Sequence, residues 1–398
     1  MDKTLRGAAA IVGVGELQPI KKAPTDKTGY GLQAEAGALA IADAGLTKKD
    51  IDAIIIEYPM LEPHFGPPSY MSDYLELPIH YGGMGSTMGA SAASMIWRAA
   101  AAIATGMCET VLVLTGEVID PMKMGMMMSG PQGMKMMGPE TQYSAPYGIM
   151  GAPGAYAFIA QRHAYEFGTT DAQRARNAVD QRTNACANPK AMFYGRPITV
   201  DDVLNSRVVS SPLRLLEVVM PVSGAAAVVV TSAERAKALP HPPVYILGAG
   251  EYITHSDISQ HPHLTTSPVK ESARRAYEMS GYGPRDMQMA QVYDCFTITV
   301  MITLEDAAFC PKGEGGPWFE ETDMTYKGKF PVNTNGGQLS FGQAGLAGGM
   351  CHPVEAVIQL RGEAGERQCA KHDLCFVNGN GGIMSEETSL IFGTEDTL

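Results

Sequence analysis

Hydrophobic positions along the chain fall into short continuous runs separated by segments of helical period. The run Ile11-Val12-Gly13-Val14 reads as a strand. An Ala- and Leu-rich periodic segment from Leu32 to Ala44 reads as a helix that stops at Gly45. The run Ile54-Ile55-Ile56 reads as the next strand. Small residues from Gly89 to Gly106, with Ala99-Ala100-Ala101-Ala102-Ile103 among them, predict a second helix, and Thr110-Val111-Leu112-Val113-Leu114 predicts the strand after it.

The same order recurs later in the chain. Ile246-Leu247-Gly248-Ala249-Gly250-Glu251 matches Ile11-Val12-Gly13-Val14-Gly15-Glu16 at an offset of about 235 residues. At nearly the same offset, Gly281-Tyr282-Gly283-Pro284-Arg285-Asp286, before Val292-Tyr293, matches Gly45-Leu46-Thr47-Lys48-Lys49-Asp50 before Ile54. Gly348 to Leu360 again reads as a helix and leads to the strand Leu374-Cys375-Phe376-Val377. Two halves follow, 1–240 and 241–398, the first with a loop insertion over about 117–150. Continuous apolar strands alternating with helices predict a mostly parallel sheet covered on both faces. Two such units back to back predict a five-layer α/β/α/β/α fold, and the small-residue helices are expected between the sheets.

Composition narrows the partners. The chain has 398 residues, 45% hydrophobic and 18% charged, which supports a large buried core. Its 42 acidic against 30 basic residues leave a net charge of -12, which argues against nucleic acid, since phosphate binding needs a basic face. No run of 18 apolar residues is present, so no membrane span is expected. Met1-Asp2-Lys3-Thr4 has no signal-peptide pattern, and none of the seven cysteines forms a CxxC pair. A cytoplasmic protein with reduced thiols and no metal site is expected. Methionine is crowded into the insertion, with Met126, Met127 and Met128 at its centre. Flexible, polarizable side chains there suit either packing at a subunit contact or the wall of a bulky apolar substrate pocket.

Several motifs together resemble the thiolase superfamily, and within it the sterol-carrier-protein-X and lipid-transfer branch. Asn333-Thr334-Asn335-Gly336-Gly337, the block Gln359-Leu360-Arg361-Gly362-Glu363-Ala364-Gly365, the loop Val292-Tyr293-Asp294-Cys295-Phe296 and the turn Gly379-Asn380-Gly381-Gly382 carry the likeness. The resemblance implies a thiolase-like fold, an acyl-CoA substrate with coenzyme A as substrate or product, no tightly bound cofactor, a homodimer, and a small zinc-ribbon/OB-fold partner protein.

The catalytic positions depart from that pattern. The family's nucleophilic Cys, at a helix start, falls on Gly89. The Asn or His of the second motif is Tyr293, and the His of the Gly-His-Pro motif falls on Gln343. Main-chain amides of Gly89 and of Asn380, Gly381 and Gly382 remain as candidate donors to a thioester oxyanion. Tyr293, at the end of a strand where an α/β crevice opens, is the first candidate for proton transfer. His352 is a candidate relocated base and Cys351 a candidate relocated nucleophile, although their place on a helix also fits packing. Ser91, in the first turn of its helix, is a weaker nucleophile candidate that lacks an identifiable base. Phe341 and Gln343 are candidate substrate contacts. His163 reads as a helix surface or interface residue.

Two enzymatic reactions fit, with a non-catalytic acyl-CoA or lipid carrier as a third reading. CoA-dependent thiolysis would split a bulky 3-ketoacyl-CoA, and retro-aldol cleavage would split a 3-hydroxyacyl-CoA with no covalent intermediate. Loss of the Cys favours the second. The related steroid side-chain aldolases, however, use a second Tyr where this chain carries Phe341. Overall likeness, which extends to benzoylsuccinyl-CoA thiolase, tips the sequence reading toward thiolysis.

Overall fold

The glycine pair repeated in the sequence explains the first packing step in each half. Gly13 and Gly15 lie in β1 (Ala9–Glu16), and a Cβ on either would overlap a main-chain carbonyl, of Ala40 or Ala36, in the helix Gly29–Asp43. Gly248 and Gly250 lie in β8 (Val244–Ile253), where a Cβ would overlap the carbonyls of Ala276 and Ser272 in the helix Val269–Ser280. Bare glycine lets each helix backbone settle directly on its strand. Gly45 and Gly281, matched in the repeat, both take left-handed φ, +67° and +77°, where these two helices end.

The computed structural model describes residues 5–120, 144–147, 149, 151–261 and 263–398. After β1 come β2 (Ala53–Ile56), β3 (Tyr81–Met84) and β4 (Thr110–Glu117). A short hairpin of β5 (Val208–Ser210) and β6 (Leu213–Arg214) stands apart from the main sheet. β7 (Gly224–Ser232), β8, β9 (Met289–Val292), β10 (Leu374–Gly381) and β11 (Glu386–Gly393) complete a nine-stranded order β3-β2-β4-β7-β1-β8-β11-β10-β9. The two sets of strands join where Ala10 faces Tyr245 and Ile11 faces Val244.

The sheet is mixed, which corrects the mostly parallel expectation. Among the described strands, β2 pairs parallel with β3 and β4, and β9 with β10; β7 and β11 return antiparallel beside them. Continuous apolar runs report burial on both faces, and here helices impose that burial on antiparallel strands as well. In β4, Val111 and Val113 enter one core while Leu112 and Leu114 enter the other.

The expected five layers are present. The helix Ser91–Ala104 packs on β4 and β7 of one set and on β10 and β11 of the other. The helix Cys351–Leu360 packs on β9 and β10 and also on β1 and β7. These two form the shared middle layer, and the 29–43 and 269–280 helices cover the outer faces. Among the described residues, no helix is long and apolar enough to cross a membrane. The start of the 91–104 helix, the end of β9, the end of β10 and the short turn Gly345–Met350 that opens into the 351–360 helix converge at one place.

Candidate active site

Gly89 sits in the single 3-10 turn Met88–Ala90 that starts the 91–104 helix. Its missing side chain is a requirement of the site. A Cβ at Gly89 would stand 2.5 Å from Tyr293 Cζ and 2.5 Å from the Asn380 carbonyl oxygen. A Cβ on Gly349 would lie 2.5 Å from the Gly89 carbonyl oxygen. Four chain segments therefore pack closely around Gly89, and the Tyr293 phenol fills the space that a side chain at residue 89 would take.

Tyr293 follows β9 directly and is 5% exposed. Its N–H donates to the Asn378 carbonyl at 3.1 Å, which ties it to β10. Its hydroxyl oxygen accepts from Gln343 Nε2 at 3.0 Å. Gln343 is itself fixed, donating from its N–H to the Met220 carbonyl and accepting from the Val222 N–H. Burial, reinforced by neighbouring Cys295, holds the phenol well above its usual range, while the Gln343 N–H pulls in the opposite direction. Near neutral pH Tyr293 is a protonated donor, supported by an amide that would stabilise charge on its oxygen.

Neither the candidate nucleophiles Cys351 and Ser91 nor the adjacent Cys295 is activated. Burial pushes the Cys295 thiol up to about 12, and it holds Cys351 well above the ordinary thiol range. A nucleophilic thiolate needs the reverse, an electropositive setting. Cys351 packs in a small cluster with Phe341, Ala185 and Ala191, so Phe341 is a core residue there. Both border a recess of about 20 Å³, enough for one water, with Glu16 at its rim. Ser91 is fully buried, and its Oγ accepts from the Thr87 N–H at 3.2 Å as a helix first-turn residue.

His352 does not reach the cleft. It is fully buried, with Nε2 3.2 Å from Asp294 Oδ1 and 3.2 Å from Gln338 Nε2. Asp294 also accepts from the N–H groups of Gln338 and Leu339, capping the helix Gly337–Phe341. The His352 ring lies 6.1 Å from that of Tyr293, which places the His–Asp pair as a buttress behind the phenol. His163 is also fully buried, between Thr169 Oγ1 and Glu305, and is not the surface residue its position suggested.

The glycine-rich turn closes the other wall. A Cβ on Gly381 would overlap the Thr87 carbonyl, and one on Gly379 would lie 3.0 Å from Ala90 Cα, so this strand end rests on the turn that carries Gly89. Asn380 and Gly381 still pair with Glu387 and Glu386, whereas Gly382 leaves the ladder at φ +61°. Met126, Met127 and Met128 lie outside the described residues.

Three further residues border this region. Glu57 and Glu117 sit at the carboxyl ends of the parallel pair β2 and β4, where α/β crevices open. Burial raises Glu57 to about 8 and Glu117 to about 7. Neighbouring Ser91 pulls the Glu57 carboxyl partly back down, and Glu57 in turn helps to raise the Tyr293 phenol. The third is Tyr156, on the helix Gly151–Phe167, whose phenol meets the Asn380 side chain. In the sequence the only signal for Glu57 and Glu117 is a carboxylate closing an apolar strand. Tyr156 leaves none.

Residues 250–394 match the family described as Thiolase C-terminal domain-like. The chain is 34% identical over 373 residues to a 17-hydroxy-3-oxo-4-pregnene-20-carboxyl-CoA lyase of Mycobacterium tuberculosis, covering 90% of this chain and 92% of that protein. It is 37% identical over 213 residues to benzoylsuccinyl-CoA thiolase subunit BbsB of Thauera aromatica, covering 53% of this chain and 54% of that one. Among solved structures, an Ltp2-ChsH2(DUF35) aldolase superposes with a TM-score of 0.86 at 30% identity, over 98% of this chain and 99% of that chain. Aligned at this level over nine-tenths of its length, and built around a glycine where a helix starts between two sets of strands, the chain belongs to the thiolase superfamily.

Proposed function

We propose that the protein cleaves a carbon–carbon bond of a 3-hydroxyacyl-CoA by a retro-aldol step. The observation that carries this reading is the Tyr293 phenol standing in the side-chain space of Gly89. Thiolysis needs a nucleophile that attacks the ketone, and the thiols Cys295 and Cys351 are held protonated by burial. Retro-aldol cleavage needs only proton transfer and a place for negative charge. As the Cα–Cβ bond opens, the bonding pair develops as enolate charge on the thioester and takes up the Tyr293 phenol proton at Cα. In the same step the phenol oxygen, steadied by the Gln343 N–H, takes the proton of the 3-hydroxyl, whose oxygen becomes the new carbonyl. Protons and electrons balance, and neither free CoA nor an oxidant is consumed. The start of the 91–104 helix beside Gly89 favours the enolate charge.

Two relatives support a lyase: the Mycobacterium tuberculosis 17-hydroxy-3-oxo-4-pregnene-20-carboxyl-CoA lyase and the Ltp2-ChsH2(DUF35) aldolase. The DUF35 component of that aldolase supports a DUF35-type partner here, and we assign the chain an acyl-CoA site shared with such a subunit in an assembly of two or more catalytic chains. Likeness to the Thauera aromatica subunit is what favours CoA-dependent thiolysis of a 3-ketoacyl-CoA as the second reading. One assay separates the two. The protein, alone and with a DUF35-type partner, is given aromatic or steroidal 3-hydroxyacyl-CoA with and without free CoA. A carbonyl product released equally in both conditions is the expected result. Product that appears only with free CoA, from the 3-keto substrate, would overturn it.

A further inference from the structure

Asn380 carries a buried polar atom that the fold leaves unused. The residue is 2% exposed. Its Nδ2 donates to the Tyr156 hydroxyl at 2.7 Å and faces Cys295 Sγ at 3.9 Å. Its Oδ1 is buried and has no hydrogen-bond partner among the described residues. A buried acceptor left open in an otherwise satisfied network calls for a donor from outside it.

The amide's orientation is set from behind. Tyr156 is 1% exposed and stacks on Phe296, ring centroids 4.5 Å apart and planes 25° from parallel. Its hydroxyl faces the Gly382 carbonyl at 3.4 Å, which takes the phenol proton and leaves the oxygen to accept from Asn380. Cys295 lies within reach of Thr299 Oγ1 at 3.5 Å, and its sulfur faces the same N–H group. Both neighbours therefore claim the amide nitrogen, and the amide oxygen is left over. Residue 380 also borders the reacting space, because its main-chain carbonyl lies 2.5 Å from the place of a Gly89 Cβ, beside the Tyr293 phenol.

We propose that Asn380 Oδ1 is the acceptor for the 3-hydroxyl of the substrate, and that Tyr156 is the positioning residue that turns this oxygen toward it. The proposal rests on the retro-aldol reading and extends it to substrate choice. A 3-hydroxyacyl-CoA offers an O–H donor to the amide oxygen. A 3-ketoacyl-CoA offers only a carbonyl oxygen, which would face another acceptor and leave it unpaired. Sites that hydrogen-bond a substrate hydroxyl reject the analogue lacking it strongly. An amide oxygen is too weak a base to keep the proton, so the hydroxyl passes it to the Tyr293 oxygen as that oxygen gives up its own.

The test is a binding ratio that needs no turnover. Dissociation constants are measured by calorimetry for a matched pair of probes, 3-hydroxy-3-phenylpropanoyl-CoA and 3-oxo-3-phenylpropanoyl-CoA, the first in a Tyr293→Phe background if it is cleaved. The expected preference for the hydroxy probe is about tenfold or more. Tyr156→Phe, which keeps the ring stack, and Asn380→Ala should each reduce that preference to less than about threefold while thermal unfolding confirms a folded protein. A merely structural role would weaken both probes equally. Equal binding of the two probes by the unsubstituted protein overturns the proposal even if neither variant folds, as does an undiminished preference in both folded variants. Failure of CoA-independent cleavage alone would overturn the reaction and leave this ratio standing.

Discussion

The ring of Tyr293 and the bare α-carbon of Gly89 share one volume, with Tyr293 Cζ 2.5 Å from where a Cβ on Gly89 would begin. Gly89→Ala should therefore destabilise the protein by about 1–3 kcal/mol through overpacking. Tyr293→Ala in the same chain should recover part of that cost, and the Asn380 carbonyl, equally close, should retain the rest. Thermal or denaturant unfolding of the two single variants and the double variant gives the coupling. Strict additivity, within about 0.3 kcal/mol, would show that the two residues do not compete.

Proton transfer by Tyr293 has its own signature. Tyr293→Phe should lower turnover of a 3-hydroxyacyl-CoA by about 10²–10⁴-fold with the fold intact. Gln343→Leu removes the N–H that supports the phenol oxygen at 3.0 Å and should lower kcat by about tenfold with a smaller change in KM. Steady-state kinetics on one substrate reads both, and unchanged turnover in Tyr293→Phe removes the phenol from the mechanism.

Glu57 makes stability depend on pH. Burial raises its carboxyl to about 8. The folded chain then keeps a proton that the unfolded chain has released by about pH 5. Stability attributable to this group falls as pH rises from about 5 to 8 and levels off above. Glu57→Gln removes that slope. Glu117, raised to about 7, remains and contributes a similar one. Unfolding temperatures from pH 5 to 9 should show the variant gaining on the parent chain as pH rises, and parallel curves would refute the assignment.

The repeated glycines can be tested in the same way. A Cβ on Gly250 would overlap the Ser272 carbonyl, which the helix cannot withdraw without losing its seat on β8. Gly250→Ala should cost about 1–3 kcal/mol in unfolding measurements. A neutral result would mean the helix sits less tightly than described.

Much of this was legible in the sequence wherever the signal was local. Gly13, Gly15, Gly248 and Gly250 mark the duplication in the sequence, while the close helix-on-strand contact they permit shows only in the structure. Gly89 and Tyr293 could be placed by motif. Strand direction could not, since Val111 and Val230 read the same in a parallel or an antiparallel neighbour. The pairing of Asn380 with Tyr156 spans 224 residues and follows no periodicity. His352 stood at a plausible position, but its usefulness depended on where the ring points, and it points to Asp294.

The helices 91–104 and 351–360 touch strands from both sets. Each is thus a common wall between two rooms. A chain severed near residue 240 would hand each fragment one such helix with half of its greasy surface bare. Separately expressed fragments are expected to aggregate, and co-produced fragments to recover solubility only by finding each other.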